Sequence, residues 1–147
     1  MDTSVFGGYF DPEFAEFTVP LFERVKKGEV QIIYSSLTEQ ELIPSPERVK
    51  QLVRDLPAAQ IDFVDITDEA ITLASEYIAG KVVGKTSYED CLHIALATIH
   101  KADYLASWNF KHIVNTTRIQ GYNAINLKLG YAILQIRSPR DLMKYED

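Results

Sequence analysis

Four short apolar segments punctuate the chain: VQIIYS (30–35), IDFVDI (61–66), YLAS (104–107) and YAILQI (131–136). Stretches of helical character separate them. Each is short and rich in β-branched or aromatic residues, without a clean polar–apolar alternation. That pattern suits strands buried on both faces of a parallel sheet. Parallel neighbours need long crossovers, and helices supply them. The expectation is therefore an α/β fold, a three-layer α/β/α sandwich around a central parallel sheet. At 147 residues the chain fits a single domain, 1–147, with one core.

Local signals mark the expected helices. Asp11 and Pro12 open one in DPEFAEF, and Pro20 is expected to interrupt it before LFERVKKG runs on to Gly28. Ser36 and Glu39 have capping-box spacing, with a helix running to Pro44. Ser45 would cap the next helix, with Pro46 in its first turn. TDEAITLASEYIAG ends at Gly80. SYEDCLHIALATIHK again has capping-box spacing at Ser87 and Asp90. TRIQGYNAINLKLG reads as helical despite Gly121, and SPRDLMKY as a terminal helical turn.

A net charge of −6 argues against a general basic surface for nucleic acid, though not against a local basic rim around an acidic cleft. The single cysteine, Cys91, excludes a disulfide framework and suggests a reducing compartment. The opening MDTSVFGGYF has no basic, apolar-cored leader, and no run approaches a membrane span. A cytoplasmic protein without membrane contact is expected.

In open α/β sheets the functional site lies beyond the carboxyl ends of the strands. Asp103 precedes YLAS and is expected to be a turn residue. Asn109 follows the same strand, and Glu41 follows VQIIYS. Asp90 sits in the first turn of its helix, where a carboxylate is favoured by the helix dipole. Singly, each has a simpler reading: a cap for Asp90, a solvated helix residue for Glu41, a chain-end residue for Asp2. Together they would need a cation, because two carboxylates about 4 Å apart repel by roughly 4 kcal/mol at an effective dielectric near 20. Oxygen-only ligation suits hard ions such as Mg²⁺ or Mn²⁺.

Four pieces of the chain, in order, resemble the PIN-domain family of metal-dependent nucleases, which includes VapC-like toxins. DTSVF resembles the first motif, with Asp2 as its acid and Ser4 as hydroxyl partner. SSLTEQEL is similar to the second and puts Glu41, rather than Glu39, in the acid position. YEDCLHIALAT is similar to the third, with Asp90 as the acid. ADYLASWNF resembles the fourth, a strand followed by Ser107 and then a position usually acidic, here Asn109. SWNFKHI resembles a branch of the family that carries this asparagine routinely.

The resemblance implies a sheet with its acids at the carboxyl edge. It implies hydrolysis of RNA phosphodiester bonds with Mg²⁺ or Mn²⁺, as in the toxin of a toxin–antitoxin pair. Asp2, Glu41 and Asp90 would be metal ligands, and Asn109 would complete the catalytic set as neutral ligand or donor. Ser4, Ser107, Lys111 and Arg118 are the candidate substrate contacts. An RNA substrate, an antitoxin protein and a homodimeric partner are implied. The alternative is a catalytically degenerate PIN-like module that binds RNA or a protein.

Overall fold

The apolar run VQIIYS forms strand β1 over Ile32–Ser35, and IDFVDI forms β2 over Ile61–Val64, in a computed structural model that describes residues 1–144. The two strands pair in parallel, Ile32 opposite Ile61 and Ser35 opposite Val64. Between them the chain makes helices α3 (Ser36–Glu41) and α4 (Glu47–Arg54), the crossover that a parallel pair requires. The remaining strands, β3 (Tyr104–Ala106) and β4 (Gln135–Arg137), pair with one another. The other helices are α1 (Thr3–Gly8), α2 (Ala15–Lys26), α5 (Asp68–Ala79), α6 (Tyr88–Ile99), α7 (Thr116–Lys128) and α8 (Pro139–Lys144). Parallel pairing and alternating helices make the fold α/β. Tyr145, at the end of the expected terminal turn, lies outside the described residues.

The chain forms two compact units. Among the described residues the first comprises Met1–Asp65, Ala106–Trp108 and 137–144. Its core gathers Val5, Phe6, Leu21, Phe22, Val25, Ile32, Tyr34 and Leu52, with Leu142 and Met143 of α8 packed against it. Phe6 lies 5.5 Å from Phe22 and meets Tyr34 edge-on at 5.9 Å, a favoured aromatic geometry.

The second unit comprises Ile66–Leu105 and Asn109–Ile136. There Thr67 caps α5 by accepting the Ala70 N–H, and Asn115 caps α7 by accepting that of Arg118. Helix α6 is buried continuously from Cys91 to Thr98. Asn126, fully buried, accepts from the Tyr77 hydroxyl and donates to Thr98 Oγ1, so its amide does not go unsatisfied. Gly121 in α7 faces Val82, where an added Cβ would lie 2.8 Å from Cγ1. The helix tolerates this glycine because the loop packs into the space it leaves.

Several expected boundaries are corrected. Helix α2 is assigned from Ala15, after a turn over 12–14 in which the Asp11 side chain accepts the Glu13 N–H, as a cap would, and its carbonyl accepts that of Ala15. The helix then runs through Pro20 rather than stopping there. An internal proline costs about 3 kcal/mol. Burial of Leu21, Phe22 and Val25, each worth roughly 1.5–3 kcal/mol, outweighs it. The cap of α3 is Ser35, not Ser36, and the helix ends at Glu41 rather than Pro44. Helix α4 begins at Glu47 with Pro46 at its N-cap and no side-chain cap from Ser45. Ser87 flanks α6 without capping it. Strand β4 is displaced towards the carboxyl end of YAILQI. The Asn123 side chain accepts the Leu134 N–H at 2.8 Å and donates to its carbonyl at 3.1 Å, occupying the groups a ladder would use.

Candidate active site

The first motif is held from within the first unit. Asp2 is extended and only 4% exposed, and its backbone N–H donates to Ala106 C=O at 3.0 Å. Both carboxylate oxygens accept hydroxyl donors. Ser4 donates to Oδ1 at 2.6 Å and Ser107 donates to Oδ2 at 2.8 Å. Ser4 Oγ in turn accepts the Trp108 N–H at 3.0 Å. A carboxylate this buried is costly unless hydrogen-bonded, and here each oxygen is. Burial lowers the pKa of the Met1 amine, and the neighbouring Asp2 carboxylate opposes that shift.

Glu41, the last residue of α3, accepts the Thr3 hydroxyl at 2.6 Å, which ties the second motif to the first. Glu39 is exposed on the same helix. Ser4, expected as the hydroxyl partner of Asp2 as well as a substrate contact, does donate to Asp2; Ser107, expected as a substrate contact, also donates to Asp2 and is fully buried. Trp108 is a packing residue: its ring stacks on Phe14 at 4.3 Å and its indole N–H donates to Thr18. Gly8 permits this approach, since a Cβ there would lie 2.7 Å from Trp108 Nε1.

In the second unit Asp90 lies in the first turn of α6, half-buried. Asn109 Nδ2 donates to Asp90 Oδ1 at 3.3 Å. Asn109 Oδ1 accepts the backbone N–H groups of Lys111 and His112. Lys111 is exposed, as a phosphate contact would need, while Arg118 directs its guanidinium at the Val82 carbonyl. Burial, reinforced by Asp90, pushes the Cys91 thiol up to about 12, with a hydrogen bond to Tyr122 opposing. Asp103 is exposed and precedes β3, as a turn residue should.

Sequence reasoning missed Thr3 and the Trp108 N–H. The hydroxyl pair Thr3–Ser4 directly after Asp2 was the available signal. The acids singled out offer only hard carboxylate oxygens, the donor type that suits Mg²⁺ or Mn²⁺. Among the described residues, no three His, Cys, Asp or Glu side chains are gathered as a ready metal cluster. No described helix is long and apolar enough to cross a membrane.

Comparison with curated proteins yields no match, and comparison with solved structures yields none. Comparison with protein-family models gives the PIN domain over residues 1–111, a span that contains Asp2, Glu41, Asp90 and Asn109. With three quarters of its length matched, the chain belongs to the PIN-domain family, whose members are generally nucleases.

Proposed function

We propose that this chain is a metal-dependent endoribonuclease that hydrolyses RNA phosphodiester bonds, and that it acts as the toxin of a toxin–antitoxin pair in the cytoplasm. Asp2, Glu41 and Asp90 are the proposed ligands for Mg²⁺ or Mn²⁺. The observation that carries this reading is the treatment of Asp2, a buried acid with both oxygens held by serine hydroxyls. A cap or a solvated chain end needs no such support. The ion, when bound, would activate water and neutralise charge on the scissile phosphate. Ser4 and Ser107 keep Asp2 in one orientation, and Thr3 does the same for Glu41. Lys111 is the proposed phosphate contact, and its exposure supports that role. The proposed partners are RNA, an antitoxin protein and a second copy of the chain.

The test is cleavage of single-stranded RNA with Mg²⁺ or Mn²⁺, with chelator, and with Asp90→Ala. Cleavage should require the ion and disappear in the variant. One observation favours a second reading, a degenerate module that binds RNA or protein: Asn109 carries no charge where the family usually has an acid. Calorimetric titration separates the two, because the degenerate module would bind Mn²⁺ no better than Asp90→Ala does.

A further inference from the structure

Asn109 closes the turn that follows β3. Its Oδ1 accepts two backbone N–H groups, from Lys111 at 3.2 Å and His112 at 3.0 Å. Its backbone carbonyl accepts two more, from Ile113 and Val114. The turn therefore decides which way the amide points. Only the oxygen can accept those donors, so the NH₂ group is directed the other way. There it meets Asp90, with Nδ2 3.3 Å from Oδ1. Aspartate at this position could keep the turn, since a carboxylate accepts N–H groups equally well. It could not keep the second contact, because it would set one carboxylate against another.

We infer that Asn109 is a positioning residue, whose amide N–H orients the Asp90 carboxylate while its oxygen is retained by the 110–114 turn. This rests on the proposed nuclease reading for its purpose, though not for its geometry. The asparagine is then no vestige of a lost ligand. It exchanges a charged oxygen for a donor that aims a neighbouring acid, the way hydrogen-bonded partners orient metal ligands elsewhere.

A swap tests the inference. In chelator, Asn109→Asp should lower the melting temperature by about 3 °C or more, through like-charge contact with Asp90. The double variant Asp90→Asn/Asn109→Asp restores one amide and one carboxylate, and should recover most of that loss. A turn cap acting alone would show no such recovery, so a double variant melting no higher than Asn109→Asp overturns the inference. Should Asn109→Asp not fold, the ¹⁵N signal of the Asn109 side-chain amide provides a second measurement. It should shift and exchange faster with water in Asp90→Ala, and an unmoved signal overturns the inference. With Mn²⁺, Asn109→Ala should bind about 10–100-fold more weakly than wild type. Wild type that cleaves no RNA, yet shows the melting recovery, removes the nuclease reading and leaves the Asn109–Asp90 pairing standing.

Discussion

Ser107 Oγ donates to Asp2 Oδ2 at 2.8 Å, although the two residues are 105 positions apart. Both are buried, so neither group can turn to water if the other is removed. Ser107→Ala should destabilise the protein by about 1.5–3 kcal/mol, the cost of taking a donor from a charged, buried acceptor. Urea unfolding with an unchanged denaturant slope and a lower midpoint is the expected result. A variant as stable as wild type would mean that the Asp2 carboxylate is solvated without the serine.

Adjacent glycines in α1 should respond in opposite ways. A methyl at Gly8 would meet Trp108 Nε1 at 2.7 Å and Thr18 Oγ1 at 3.1 Å. Gly8→Ala should therefore cost about 1–3 kcal/mol by overpacking and should shift the emission of Trp108, the single tryptophan. At Gly7, exposed and helical, an added Cβ meets nothing within 4 Å. Gly7→Ala should stabilise by about 0.5–1 kcal/mol. Melting and fluorescence of the two variants check both signs.

Much of this arrangement was legible in the chain, for identifiable reasons. The segment around β1 and the segment around β2 carry dense β-branched and aromatic residues between turn signals. Helix α5 carries Thr67 before it and Gly80 after it. The order of the four motifs selected Glu41 over Glu39, and in the structure Glu41 receives the Thr3 hydroxyl while Glu39 is exposed. The displacement of β4 has a physical cause that periodicity does not carry, a side chain competing for backbone groups. Asn123 occupies the backbone groups of Leu134, and β4 begins only at Gln135. At Asn109 the sequence left a neutral ligand and a donor both open; in the structure its Nδ2 donates to Asp90 while its oxygen accepts the Lys111 and His112 N–H groups. Periodicity records which face a residue occupies. It does not record where its polar atoms go.

Burial pushes the Cys91 thiol up to about 12. It should thus stay protonated and inert at neutral pH, alkylating about 10³-fold more slowly at pH 8 than a free thiol. The sign for stability follows from linkage. The folded thiol keeps its proton after the unfolded one, with its ordinary value near about 8.5, has lost it. The contribution is full below that value and is lost as pH rises through about 12. Alkylation followed by mass spectrometry, with and without urea, measures the first effect. Rapid labelling of the folded protein would show that Cys91 is accessible and ionised.

The contact between Thr3 and Glu41 leads to the most direct test of which glutamate serves the proposed site. The hydroxyl donates at 2.6 Å to Oε1, so the carboxylate is aimed rather than free to sweep. Glu41→Gln removes the charge and should abolish RNA cleavage and weaken Mn²⁺ binding. Glu39→Gln, two residues away and exposed, should leave both unchanged. Thr3→Val keeps the shape of the side chain and removes only the donor. If the hydroxyl orients a ligand, that variant should lose about 10–100-fold in activity or metal affinity. The loss should fall on kcat rather than on KM, since Thr3 is not among the proposed substrate contacts. Mn²⁺ titration and cleavage kinetics across the three variants give the answer. Equal losses in Glu39→Gln and Glu41→Gln would point to general negative charge near the RNA, and the assignment of Glu41 as a ligand would then fail.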